Sequence, residues 1–341
     1  MADTDENKVD TSNVDLGHLL EHVEDLILGG PRKYTPAEVS DHADVDRDEA
    51  RRMWRALGFP TVGDEEVVFT DADVAALRTM RELAAQGLAD EDVRLAVARL
   101  FGQTFSRLAS YQGQLLLEQI TEHPELLNSD DGVGSLVQSI VPLVEELQNY
   151  TWRRQLAAYV ARMAAQGDAD VAGGPARLAI GFADMSRFTS LTRNATEVQL
   201  RTLLDAFETF ATEIVGQHGG RIVKTIGDEV LFQADEPAAA AQIALELLEA
   251  AAEHPDLPEL RAGLALGEVV TRLGDVYGST VNIASRLTSI ARPGWVLVDR
   301  ELHEALEGDA RFRFKSRRPE AVRGFHRLHS WRLQRGADGG R

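Results

Sequence analysis

The chain has 341 residues, enough for two domains each with its own core, and a hydrophobic content of 44 % that argues against disorder. It contains no cysteine, which excludes disulfide scaffolds, thiolate nucleophiles and cysteine-ligated metals. The formal charge of −19 is uneven: residues 1–165 carry 30 Asp and Glu against 15 Lys and Arg, the remainder 25 against 21, so the N-terminal half repels a phosphate backbone.

The start, "MADTDENKVDTS", is polar and acidic where a signal peptide would be basic and then apolar, and no apolar run approaches the length of a membrane-spanning helix. Residues 1–15 are therefore read as a disordered acidic tail, and the protein as cytoplasmic with no membrane partner. From 16 to 165 a helical period dominates, broken at "GGPRKYTP", "GFPTVGDEE" and "NSDDGVGS", which predicts an all-α domain. Its last segment, "EELQNYTWRRQLAAYVARMAA" (145–165), reads as one long connecting helix. The Gly-rich "QGDADVAGGPA" (166–176) reads as a linker.

Residues 177–335 change character. "RLAIGFA" (177–183) is a buried strand, 196–220 an amphipathic helix closed by a glycine pair, and "RIVKTIGDEVLF" (221–232) a hairpin. A helix over 236–254 follows, then a strand in "LRAGLALGEV", a helix around "STVNIASRLTSIA", the strand "WVLVD" and a basic stretch that pairs as strands. Strand, helix, hairpin, helix, strand is the order of an α+β ferredoxin-like or palm-type sheet. Residues 336–341 are read as a disordered tail.

Strict alternation along the first hairpin strand places Ile222, Lys224 and Ile226 on one face and Val223 and Thr225 on the other. Asp184 follows directly on the first buried strand, and Asp228 sits at the hairpin tip. In a βαββ arrangement these two ends are neighbours, so two carboxylates face each other and a divalent cation would relieve their repulsion. The same residues would equally serve as a helix N-cap and a turn residue. Asn282 and Arg286, four apart after a glycine-containing loop, share one helical face, as groups aimed at a ribose or phosphate would, or as a surface polar pair would.

"FADMSRFT", "KTIGDEVLF" and "GDVYGSTVNIASRL", in this order and spacing, resemble the catalytic domain of the class III nucleotidyl cyclases over about residues 175–335. The resemblance implies two Mg²⁺ or Mn²⁺ ions held by Asp184 and Asp228. It also implies base recognition by Lys224 with Asp275, a ribose-orienting Asn282 and a transition-state Arg286. Arg323, in "AVRGF", stands where relatives often carry a triphosphate-binding lysine. A lysine donor with an aspartate acceptor reads adenine, whereas guanine presents the opposite pattern, so ATP is the implied substrate and cyclic AMP with pyrophosphate the products. The family's catalytic domains pair head to tail, which implies a homodimer with two shared sites.

In the N-terminal half, "YTPAEVSDHADVDRDEARRMWRALGFP" and the segment after it resemble the helix-turn-helix of MerR-type regulators, with Arg47, Arg51, Arg52 and Arg55 as the one basic stripe. The acidic surroundings favour a packing module over a nucleic-acid partner. A helical domain ahead of a cyclase domain also resembles soluble bacterial cyclases that respond to pH. His18 and His22, one turn apart beside Glu21 and Asp25, would titrate near neutrality. The leading expectation is a homodimeric adenylate cyclase regulated by its helical half; the alternative is a catalytically silent nucleotide-binding sensor or a MerR-like regulator.

Overall fold

A computed structural model describes residues 16–123, 126, 132–166, 176–193 and 195–336. The expected acidic tail 1–15, nearly all of the expected linker, and 337–341 lie outside the described residues. The chain divides into two compact units, Met1–Arg162 and Met163–Arg341.

The first unit is built from α1 (Leu16–Leu28), α2 (Pro36–Ala43), α3 (Arg47–Ala56), α4 (Asp71–Ala85), α5 (Glu91–Glu122) and α6 (Gly132–Gln166). Local chemistry sets the starts. Thr35 and Glu38 form a reciprocal capping box on α2, and the Asp46 carboxylate accepts from the backbone N–H of Asp48 and Glu49 on α3. Val39, Ala43, Ala50, Trp54, Val74 and Leu77 make its small core. The last helix starts at Gly132 rather than Glu145, because Gly132, Gly134 and Pro142 disguise a pattern the backbone nonetheless continues. Both long helices leave large apolar side chains exposed, among them Phe105, Tyr111 and Leu117 on α5 and Leu143, Leu147 and Trp152 on α6.

The second unit runs β1 (Ala176–Met185), α7 (Phe188–Thr192), α8 (Glu197–Gln217), β2 (Arg221–Ile226), β3 (Glu229–Ala234), α9 (Pro237–Glu253) and β4 (Leu260–Arg272). It continues through β5 (Asp275–Tyr277), α10 (Ser279–Ile290), β6 (Val296–Val298), α11 (Arg300–Ala305), β7 (Phe312–Ser316), β8 (Glu320–Val322), β9 (Phe325–Leu328) and β10 (Trp331–Arg335). The main sheet has the order β2-β3-β1-β4-β6-β10-β7, with β5 paired to β4; β8 and β9 form a separate ribbon. The β4-β1-β3-β2 portion, antiparallel throughout, is two interleaved βαβ units, the ferredoxin-like arrangement. Gly336, expected in the tail, donates its N–H to the Arg311 carbonyl at 2.8 Å and closes the last strand.

Alternation along β1 sorts the core. Ala179, Ala183 and Met185 pack under α8 and α9, whereas Leu178, Ile180 and Phe182 point to the opposite face with Ala284 of α10. That helix lies close to β4 because position 263 is glycine: a Cβ there would stand 2.3 Å from the Thr288 backbone nitrogen.

Candidate active site

The expected shared face for Ile222 and Lys224 is corrected by the structure. A β-bulge interrupts the register between them: Ile222 pairs with Phe232, but Lys224 pairs with Leu231. Phe232 belongs to the core under α8 and α9 and Leu231 to the α10 face, so the extra residue, Val223, turns Lys224 to the α10 side. There its Nζ donates to Asp275 Oδ2 at 2.5 Å. Asp275 opens β5, a three-residue strand opposite Arg272, and its Oδ1 also accepts from the Val276 N–H. Burial opposes ionisation of this carboxyl, but the Lys224 and Val276 hydrogen bonds outweigh it and hold Asp275 below the usual carboxylate range.

Asp184 ends the alternation of Leu178, Ile180 and Phe182 and so faces the same side. It stands between Glu229 on β3 and Arg261 on β4 in the strand register. Gly227, at φ 62°, makes the turn that brings Asp228 alongside, with the Asp228 carbonyl accepting from the Met185 N–H at 3.1 Å. Burial, and then the Asp184 carboxylate, raise Asp228 above its ordinary value. Burial and the same two aspartates push Glu229 up to about 7.

Arg261 is the counter-ion that sequence reasoning missed. Its Nε and Nη2 donate to Asp184 Oδ2 at 2.7 and 2.5 Å, and Nη1 donates to the Ser289 carbonyl at 3.3 Å. The signal was present as one charged residue on a strand, "LRAGLALG", that is otherwise apolar or glycine. Glu229 was likewise hidden, as an ordinary acidic residue after a turn.

The donor set fits a hard divalent cation: carboxylate oxygens and no sulfur, with two of the carboxyl groups, Asp228 and Glu229, raised in proton affinity by burial and then by their acidic neighbours. Among the described residues no three acidic or histidine side chains are grouped closely enough to hold an ion by themselves.

Asn282 is exposed and Arg286 half-buried on α10, one turn apart. Arg323 is exposed in the turn between β8 and β9. Two groups result: Asp184, Asp228, Glu229 and Arg261 at one end of the central strands, and the Lys224–Asp275 pair elsewhere on the same face. Among the described residues no hydrogen bond or ion pair joins the two groups, nor does one tie the side chains of Asn282, Arg286 or Arg323 to either. A cavity of about 600 Å³ lies in the helical unit and is lined by Trp54, Phe59, Phe69 and Arg55 among others.

Two family models match this chain: the adenylate and guanylate cyclase catalytic domain over residues 175–335, and the adenylate cyclase regulatory domain over residues 8–156. An adenylate cyclase of Streptomyces coelicolor is 47 % identical over 285 residues, 83 % of this chain and 74 % of that protein. An adenylate cyclase of Glutamicibacter nicotianae is 40 % identical over 333 residues, 93 % of this chain and 83 % of that protein. A pH-sensitive adenylate cyclase of Mycobacterium tuberculosis is 32 % identical over 324 residues, 91 % of this chain and 81 % of that protein. The chain therefore belongs to the class III adenylate cyclase family, with a regulatory domain of that family ahead of the catalytic one.

Proposed function

We propose that this chain is an adenylate cyclase, converting ATP to 3′,5′-cyclic AMP and pyrophosphate at sites shared by two copies arranged head to tail. The observation that carries the reading is the Lys224–Asp275 pair, a donor and an acceptor set side by side by the bulge in β2, on the same sheet face as the Asp184 and Asp228 carboxylates but unlinked to them. A donor beside an acceptor matches the ring nitrogen and amino group of adenine. A catalytic site split between chains explains why one copy holds these groups apart.

In this reading Asp184 and Asp228 hold two Mg²⁺ or Mn²⁺ ions, which when bound supply the charge that lowers the pKa of the ribose 3′-hydroxyl and neutralises the triphosphate. Lys224 and Asp275 of the other copy fix the base. Asn282 orients the ribose so that its 3′-oxygen lies in line with the α-phosphorus, and the Arg286 guanidinium takes the charge that grows on the α-phosphate. Arg323 is assigned to the triphosphate, with its planar fork replacing the point charge of a lysine. Exposed Val270, Leu273 and Tyr277 around the β4–β5 turn supply apolar surface for a second copy beside the base pair.

The helical unit is assigned a regulatory role, with pH as its signal. The similarity to a relative named for pH sensitivity supports this, as do the histidines of an acidic half. A nucleic-acid role is disfavoured by the arginine stripe itself: Arg47 pairs with Asp41, Arg51 with Asp64 and Arg52 with Glu91, which leaves little free charge for phosphates.

Subunit mixing tests the shared site. Asp184→Ala and Arg286→Ala homodimers should each be nearly inactive. Random exchange puts about half the dimers in mixed form with one intact site of two, so about a quarter of the parental activity should return. Activity that stays absent after verified exchange would refute the split site.

A further inference from the structure

Strands β8 and β9 stand outside the main sheet, so no backbone ladder to that sheet sets where their ribbon points. Arg323 and Gly324 make the ribbon's two-residue turn, flanked by the paired Val322 and Phe325, and Gly324 takes φ 89°. Val322 and Phe325 pack, as Trp295 does, against Leu287, Ala291, Leu297 and Leu328. The polar part of the seat is a single residue, Arg317, one position past the end of β7. Its Nη2 donates to Glu320 Oε1 at 2.7 Å, and its backbone N–H donates to the Ser330 carbonyl at 3.0 Å. Glu320 opens β8 and Ser330 follows β9, so Arg317 holds both feet of the ribbon.

A second observation lies under Arg317. The guanidinium carbons of Arg292, Arg317 and Arg332 stand 5.1, 5.1 and 4.3 Å from the centroid of the one Trp295 ring. Three cations on one indole repel, and among the described residues only Arg317 has an acidic partner, Glu320. Arg332 also faces Lys315 directly across the β10–β7 ladder, a like-charge pair that costs free energy. Arg317 Nη1 and Arg332 Nε are buried with no hydrogen-bond partner, which leaves the face of the indole to offset their charge. What this costly arrangement supplies is a planar fork, placed over the ring at one side and bonded to the ribbon at the other.

We propose that Arg317, braced on Trp295, is a positioning residue for the reaction: by holding both feet of the β8–β9 ribbon it fixes the turn from which Arg323 meets the triphosphate. The inference rests on the assignment of Arg323 in the cyclase reading and adds to it the residues that aim it. Arg317 acts through Arg323 and does not itself meet the nucleotide.

The test uses the full chain with Arg317→Gln, Arg317→Lys, Trp295→Leu, Arg323→Ala and the double variant Arg317→Gln with Arg323→Ala. Hydrogen exchange of the backbone amides of 320–328 is measured beside KM and kcat for ATP and the unfolding midpoint. Arg323→Ala, which removes one charge-assisted contact, should raise KM about tenfold while kcat changes less. Arg317→Gln should raise KM about three- to fivefold, with faster exchange confined to the ribbon, and Arg317→Lys, which keeps the charge without the fork, should fall between it and the parent. In the Arg323→Ala background Arg317→Gln should raise KM no further, because the two residues act through one contact. The same fold-rise in that background overturns the proposal, as does parental exchange of the ribbon in both Arg317→Gln and Trp295→Leu. A midpoint more than about 5 °C below the parent's in Arg317→Gln, with faster exchange throughout the catalytic unit, marks a structural role and also overturns it. If Trp295→Leu does not fold, the Arg317 variants carry the test alone. Parental KM in Arg323→Ala removes the Arg323 assignment and the positioning role with it, an outcome told apart from the others because it needs no change at Arg317.

Discussion

Replacing Lys224 or Asp275 with alanine should change which nucleotide is used far more than it changes the fold. The pair is half-buried, with side chains 39 % and 26 % exposed. At an effective dielectric of about 20 two such charges attract by about 4 kcal/mol at ~4 Å separation. Desolvation, side-chain ordering and screening leave about 1 kcal/mol net at that exposure. Each single substitution should therefore cost about 1 kcal/mol of stability, and the double substitution little more, because the partners share one interaction. Nucleotide choice has larger stakes. Each contact to the base is worth about 1–1.5 kcal/mol, and guanine opposes a charged donor and a charged acceptor with groups of the wrong sense. Loss of one contact should lower the ATP-to-GTP ratio of kcat/KM by about 10-fold, and loss of both by about 100-fold. The assay is steady-state formation of cyclic product from each nucleotide, with denaturant melts on the same preparations. An ATP-to-GTP ratio unchanged in both single variants would refute the assignment. So would a stability loss of several kcal/mol, because selectivity would then be confounded with unfolding.

Two further outcomes are expected elsewhere. Asp299, 3 % exposed, caps α11 by accepting from the Leu302 N–H at 2.9 Å and also accepts from the Leu266 N–H; burial pushes it up to about 7 against the Leu302 bond, with Glu301 adding to the rise. Between the ordinary carboxyl range and pH 7 the folded state holds the extra proton, so stability should fall as pH rises through that window; Asp299→Asn, which keeps an acceptor and cannot ionise, should flatten the curve, and parallel parent and variant curves would count against it. The catalytic unit expressed from about residue 166 should show a pH–rate profile different from the full chain's, the helical half inhibiting near neutral or alkaline pH. Matching profiles and equal specific activity, at concentrations where both are dimeric, would remove pH regulation from the helical half.

Much of the second unit was legible because its signals are strong and local. A buried apolar run gave β1, a periodic segment closed by a glycine pair gave α8, and Gly227 with Asp228 gave the turn that presents a carboxylate. What escaped was what alternation cannot encode. The bulge at Val223 inverts the facing of Lys224 relative to Ile222, and nothing in "RIVKTI" announces an extra residue, since the register is decided by β3 and by the pairing of Lys224 with Asp275. Arg261 escaped for a related reason: its meaning lies in the cross-strand neighbour Asp184, 77 positions earlier. The left-handed backbone of Arg187, just before α7, was not legible either, because φ is a property of the folded chain and not of the letters.

The central claim is that this chain makes a cyclic nucleotide from ATP. The direct measurement is incubation of the purified full chain with ATP or GTP and Mn²⁺, with product separated and identified by mass and retention. Cyclic AMP and pyrophosphate in equal amounts from ATP, with little cyclic product from GTP, and loss of both on Asp228→Ala, is the expected result. Nucleotide binding without any cyclic product, across the pH range in which the protein stays folded and dimeric, would contradict the account and leave a silent sensor in its place.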